Sequence, residues 1–117
     1  MELLTKAIES KLDRAIEKSP DDGISEKAIC RFFNPITNGV WIIFGRVPHD
    51  PDILWCVADL GLPHPVRDGS IIEFGTVSLS ELREIELPFK LRIERDRVFG
   101  DKGKPMEYFL NQKSLHK

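Results

Sequence analysis

Two short segments of the chain are apolar at every successive position. They cover residues 40–44 and 53–58, and both contain β-branched and aromatic side chains. Successive side chains of a strand point to opposite faces of a sheet, so an unbroken apolar run needs cover on both faces. Runs this short are typical of strands rather than helices. The sequence therefore predicts a central β ribbon whose cover comes from loops, from the C-terminal tail or from another protein.

The remaining pattern predicts an α+β fold in a single domain over residues 1–117. A Thr5 N-cap and apolar residues at helical spacing predict an N-terminal helix over residues 6–18. Strand patterns follow over residues 27–33, 40–47, 53–60 and 71–77. Turn signals separate them, so we expect a four-stranded antiparallel sheet in sequential order, with the helix packed on it.

Shorter elements follow the fourth strand. Ser78 and Glu81 have the spacing of a capping box, and either Ser78 or Ser80 can cap a short second helix that reaches Ile85. Residues 91–99 predict an edge strand or an extended arm. We expect residues 101–117 to form a C-terminal tail that docks as one helical turn or stays loose.

Charge and composition narrow the class of protein. The formal net charge is -2 and the pI is about 5.9, which disfavours nucleic acid as a partner. The chain lacks both an apolar stretch of the roughly 20 residues that span a bilayer and a leader pattern, so we expect a cytoplasmic protein without a membrane partner. Cys30 and Cys56 lie in apolar strand patterns, which favours two buried reduced thiols over a disulfide.

Three segments together resemble one bacterial family. They are residues 1–6 (MELLTK), residues 77–82 (VSLSEL), and residues 93–96 (IERD) followed by Phe99. Their order and spacing match the family catalogued as domain of unknown function 2958, whereas residues 48–52 and 61–69 depart from it. The resemblance implies a small accessory protein of plasmids, phages or integrative elements. Such elements encode proteins that block host defence complexes, including restriction and CRISPR effectors.

We therefore expect a non-catalytic binding protein with a protein partner or a second copy of itself. The candidate partner-binding residues are Trp41, Ile43, Trp55 and Val57 of the central ribbon and Arg92, Arg95 and Arg97 of the arm. Trp41 and Trp55 on one common face would form an apolar patch that favours association. In the arm, charges of alternating sign favour pairing within the chain, and Arg95 is expected to anchor the arm beneath the sheet.

Two other function classes stay open. A small metal-dependent or hydrolytic enzyme would use His49, Asp50 and Asp52 of one loop, with Glu73. A nucleic-acid-binding module would use the cations between Arg92 and Lys104. The sequence supplies no second cluster at ligand spacing, so we expect a solvated turn at His49, no metal, no cofactor and no catalytic residue.

Overall fold

The computed structural model describes residues 2–116 and contains one five-stranded antiparallel sheet. The strands are β1 (Cys30–Phe33), β2 (Val40–Arg46), β3 (Ile53–Pro63), β4 (Ser70–Ser78) and β5 (Glu94–Arg95). The helices are α1 (Lys6–Lys18), α2 (Leu79–Glu84) and α3 (Met106–Leu110). The strand order is β4-β3-β2-β1-β5, which confirms the predicted α+β class and the sequential antiparallel order of the first four strands.

Helix α1 has the boundaries that its capping pattern predicts. The Thr5 hydroxyl accepts a hydrogen bond from the Ile8 amide at 3.2 Å and satisfies one of the free donors of the first turn. Leu12 and Ala15 are buried on the side of the helix that packs against the sheet. No helix within residues 2–116 is long and apolar enough to cross a membrane.

The sheet has apolar residues on both faces, as the unbroken runs predict. The first face, which lies under α1 and α2, carries Trp41, Ile43, Leu54 and Cys56. The second face carries Val40, Ile42, Phe44 and Val57. Each face belongs to its own cluster of buried side chains, so β2 and β3 separate two small cores.

The C-terminal segment covers the second face. Phe109 of α3 is 2% exposed, and its ring meets the Phe44 ring edge to face with centroids 5.7 Å apart. Phe99 joins the same cluster. One long helix and one short C-terminal helix thus provide cover on opposite sides of the ribbon.

Trp41 and Trp55 lie on opposite faces, and the expectation of a shared face is wrong. Trp41 pairs with Ala58 across β2 and β3, and Trp55 lies three residues before Ala58 on the same strand. Because side chains alternate along a strand, an odd separation places Trp55 on the face away from Trp41. A register shift between Ile43 and Gly45 sets Gly45, which has no side chain, opposite Trp55.

Two strand boundaries differ from the sequence prediction. Strand β1 begins at Cys30 rather than residue 27, because Ala28 exchanges backbone hydrogen bonds with Gly103 and Lys104 instead of with β2. Strand β3 continues to Pro63, so the predicted loop after residue 60 is in part an extension of the β3–β4 hairpin. The predicted edge strand is β5, a fifth strand of two residues that pairs with β1.

Both cysteines are buried free thiols, in agreement with the sequence prediction. Cys30 and Cys56 each pair with Ile43 from the two sides of β2. Their Cα atoms are therefore two strand spacings apart, about 9.5 Å, which exceeds the roughly 7 Å limit for a disulfide. Burial raises the pKa of each thiol to about 12, so both stay protonated at neutral pH.

Removal of the Phe109 ring tests the cover on the second face. We expect Phe109→Ala to lower the free energy of unfolding by about 3 kcal/mol, because the substitution leaves a cavity against Phe44. Urea denaturation measures the change. The matched variant Phe89→Ala alters a ring that is 88% exposed and should change stability by less than about 0.5 kcal/mol. A loss below about 1 kcal/mol for Phe109→Ala would show that α3 contributes little cover.

Candidate functional site

Most of the predicted ribbon residues lie inside the molecule. Trp41 is 9% exposed, and Ile43 and Val57 are fully buried, so these three side chains build the two cores. Trp55 is partly exposed: its ring stacks on Phe74 with centroids 5.5 Å apart, and its indole nitrogen donates to the Asp22 carbonyl at 2.7 Å. Of the four, Trp55 alone offers appreciable surface to a partner in this conformation.

The predicted arginines of the arm lie in three different surroundings. Arg92 is paired with Glu86 at 3.4 Å and also donates to the Arg83 carbonyl. Arg95 donates to the main-chain carbonyl of Glu2, so it ties β5 to the N-terminal segment. Arg97 is exposed. The three side chains do not form one common site.

A buried ion pair lies beside this arm. The Arg31 guanidinium is 3.2 Å from the Asp96 carboxylate, and both side chains are about nine-tenths buried. The Asp96 amide also donates to the Arg31 carbonyl at 2.8 Å. These contacts hold the arm against β1. Removal of either side chain of the ion pair would leave the other as an uncompensated buried charge.

The His49 loop is organised around Asp52 rather than around a ligand site. One Asp52 oxygen accepts from the Ser78 and Ser80 hydroxyls at 2.6 and 2.8 Å, and the other accepts from the Ser80 amide at 2.8 Å. Asp50 accepts from the Asp52 amide within the turn. Glu73 pairs with Ala58, five strand residues from Ser78 and on the order of 17 Å along β4. Residues 2–116 contain no group of three or more His, Cys, Asp or Glu side chains arranged to hold a metal ion.

The same contacts control the ionisation of Asp52. Hydrogen bonds from Ser78, and then from Ser80, stabilise the carboxylate and hold its pKa below the ordinary value of 3.8. Because the folded pKa is the lower one, ionised Asp52 stabilises the fold above its ordinary pKa. That contribution is lost as the pH falls through the folded value.

Carboxyl NMR titration tests this role of Asp52. We expect the wild-type carboxyl to titrate below 3.8 and the Ser78→Ala variant to titrate closer to that value, since its first hydrogen-bond donor is gone. Ser10→Ala changes an exposed helical serine away from the loop and should leave the titration unchanged. A wild-type pKa at or above 3.8 would contradict the capping role.

Exposed apolar side chains collect at one end of the sheet. The β1–β2 turn and the β3–β4 hairpin lie at this end, because Phe33 pairs with Val40 and Val40 with Asp59. Four of the six exposed large apolar side chains of residues 2–116 are here, and we call them the apolar end: Ile36, Leu60, Leu62 and Val66. Their exposed fractions are 43%, 54%, 57% and 86% in that order.

The β1–β2 turn and the β3–β4 hairpin lie close together at Gly61. Gly61 has a φ of +81°, which favours glycine, and a Cβ at this position would lie 3.0 Å from the Asn38 Cβ. The glycine thus lets the β1–β2 turn pack directly against the hairpin between Leu60 and Leu62.

Buried Asp59 fixes this end of the sheet. One of its carboxylate oxygens accepts from the Ser70 hydroxyl at 2.6 Å and from the Leu115 amide at 2.9 Å. The other oxygen accepts from the Gly61 amide at 2.8 Å. A fully buried carboxylate needs several donors, so these bonds join β3, β4 and the C-terminal segment at one point.

Ser114 and His116 complete the surroundings of Asp59. The Ser114 hydroxyl lies 2.9 Å from His116 Nδ1, and His116 Nε2 lies 3.7 Å from the Asp59 carboxylate. The composition is that of a nucleophile, base and acid. However, Ser114 also accepts from the His116 amide at 3.1 Å, which makes a local serine turn, and Asp59 already accepts three shorter bonds. The group therefore acts as an anchor for the chain end.

The sequence places Leu60 at the end of the third predicted strand, and Leu62 and Val66 in the loop that follows it. Leu60 and Leu62 continue the apolar register of β3 beyond residue 58, but Gly61 and Pro63 beside them are typical of a turn. The structure makes an exposed strand extension of this segment. Nothing in the sequence places Ile36 beside it, because that proximity depends on the pairing of four strands.

The fold and surfaces define an α+β protein with one antiparallel sheet and an exposed apolar end. A family model described as "Protein of unknown function (DUF2958)" matches residues 3–114. The chain belongs to this family, which confirms the predicted resemblance. No curated protein and no solved structure matches the chain.

Proposed function

We propose that this chain is a non-catalytic protein-binding accessory protein and that the apolar end of the sheet is its contact surface. The observation that carries the proposal is the gathering of four exposed large apolar side chains at one end of the sheet, on the β1–β2 turn and the β3–β4 hairpin. Single exposed apolar residues are ordinary on protein surfaces, but several of them gathered at one end of a sheet are typical of an interaction site.

The hydrogen-bonded framework under this surface supports the proposal. Asp59 joins the hairpin to the C-terminal segment, and Gly61 allows the β1–β2 turn to pack against it. A surface that is already ordered loses little conformational freedom on binding, so more of the contact energy contributes to affinity. The apolar end is therefore suited to a partner that buries Leu62 and Val66.

The finer proposal concerns the partner. We infer that the chain is an accessory protein of a mobile genetic element and inhibits a host defence complex, either a CRISPR effector or a restriction enzyme, in the bacterial cytoplasm. The family resemblance suggests this role, and the small size and the apolar contact surface suit a blocking protein. A second copy of the chain is the alternative occupant of the same surface.

The geometry favours binding over the two other function classes. For the enzyme that would use His49, the carboxylate of Asp52 is directed to Ser78 and Ser80 instead of towards a shared ligand. For a nucleic-acid module in the arm, Arg92 and Arg95 are engaged with groups of the same chain. Neither cluster converges on a common point.

Matched immobilised variants test the protein-binding role. The apolar-end variant carries Leu60→Ser, Leu62→Ser and Val66→Ser. The control variant carries Phe89→Ser and Val98→Ser, which change two apolar side chains elsewhere that are 88% and 80% exposed. We expect wild type and control to retain the same bacterial protein and the apolar-end variant to lose it by about tenfold, because burial of these side chains drives the contact. Quantitative mass spectrometry of the eluates measures the difference.

The same three proteins test the finer proposal in cells. In a strain with an active CRISPR or restriction system, wild type and control should raise the phage plating efficiency, and the apolar-end variant should not. Light scattering over a concentration series measures the oligomeric state of each protein. An oligomeric wild type with a monomeric apolar-end variant would identify a second copy as the occupant. A monomer that retains equal amounts of every protein on all three matrices would contradict the proposed function.

A further inference from the structure

A groove with basic walls forms a second surface feature, which shares no residue with the apolar end. It has a volume of about 840 Å³ and runs between α1, residues 24–29 and residues 102–103. Gly103 donates to the Ala28 carbonyl and Ala28 to the Lys104 carbonyl, so the wall facing the helix is a pair of hydrogen-bonded segments. This volume is within the usual range of roughly 300–1,000 Å³ for ligand sites.

Cations dominate both walls of the groove. The helix contributes Lys11, Arg14 and Lys18, and the facing segments contribute Lys27 and Lys102. Glu26 is the one carboxylate among the lining residues. The groove thus carries five positive charges against one negative charge, in a chain whose net charge is -2.

The helix separates its charges into two stripes. Lys11, Arg14 and Lys18 follow one another at intervals of three and four residues and share one side. The acidic residues Glu9, Asp13 and Glu17 recur at intervals of four on another side, where Glu9 pairs with Arg46 at 2.9 Å. Within residues 2–116, the ion pairs do not include any of the five groove cations. Like charges that line one groove repel one another, so an anion between the walls would stabilise them.

The floor of the groove is apolar. Ala15, Ala28 and Ile29 are buried there, and Ile24 is partly buried. Cys30 lies close behind: burial raises its pKa, and the charges of Arg95, Lys102 and Lys11 oppose that rise.

The combination of walls and floor selects one class of ligand. Aromatic rings, on which unpaired bases stack, are missing from the residues that line the groove. An apolar floor suits a peptide with apolar side chains better than a sugar-phosphate backbone. Lys11 and Lys18 are about 10 Å apart along the helix axis, which corresponds to roughly three residues of an extended peptide.

We propose that this basic groove is a second binding site, which takes an acidic segment of a partner protein with its carboxylates on the lysine walls and an apolar side chain on the floor. It goes beyond the proposed function, since it involves different residues from the apolar end and different chemistry. A protein that presents both an apolar surface and an acidic segment would engage the two sites together.

Fluorescence anisotropy with defined probes tests the groove. The probe is a labelled peptide that repeats aspartate, glutamate and leucine in turn, and the comparison probes are a peptide with lysine in place of the acidic residues and a labelled DNA duplex. The groove variant carries Lys11→Glu, Lys27→Glu and Lys102→Glu. The control variant carries Lys6→Glu, Lys90→Glu and Lys113→Glu, which change the net charge equally at exposed sites outside the groove.

We expect wild type, the control variant and the apolar-end variant to bind the acidic peptide alike, and the groove variant to bind it about tenfold more weakly or worse. Circular dichroism shows whether the groove variant is folded, and the single substitution Lys27→Glu, in an exposed loop, repeats the test if it is not. Equal binding by groove and control variants would overturn the proposal. Stronger binding of the duplex than of the peptide, or self-association of wild type that the groove variant abolishes, would overturn it as well.

Discussion

The structure depends on the two-sided burial of strand β2. Every residue of this strand is buried, and its neighbours β1 and β3 occupy both of its hydrogen-bonding edges. Apolar side chains on both faces need two separate covers, which come from α1 with α2 on one side and from the C-terminal segment on the other. Helix α1 packs above the first face, and Phe99 and α3 lie on the second. The surface that remains consists of the strand ends, the loops and the outward side of α1. The apolar end lies on the strand ends and loops, and the basic groove lies between α1 and two loops.

Local sequence patterns predicted much of the fold because they depend on neighbouring residues. The Thr5 cap and the Ser78 cap each act within one helical turn, and the apolar period of α1 repeats from one turn to the next. The structure has each of these features. The register of the strands could not be predicted from such local patterns. The face on which Trp55 lies follows from the pairing of Trp41 with Ala58, and the start of β1 follows from bonds between Ala28 and residues 103–104. Those partners are distant in sequence, so patterns among neighbouring residues do not identify them.

The candidate sites were less predictable than the fold, for the same reason. The predicted arginines were sensible interaction residues by type, yet Arg92 and Arg95 have partners from other parts of the chain. The basic stripe of α1 consists of Lys11, Arg14 and Lys18 of one helix. Its meaning depends on Lys27 and Lys102, which only the folded chain brings to the opposite wall. Asp59 falls within the third predicted strand, but its role as an anchor requires Ser70 and Leu115 beside it.

Native-state hydrogen exchange tests most directly whether the chain covers its own ribbon. The Ser70 amide donates to the Lys113 carbonyl at 2.8 Å, so its exchange reports on the C-terminal segment, whereas the Ile42 amide reports on the centre of the sheet. If the C-terminal segment is an integral cover, both amides exchange through the same global opening, with free energies that agree within about 1 kcal/mol. Exchange of Ser70 at a nearly unprotected rate, while Ile42 stays protected, would contradict the account.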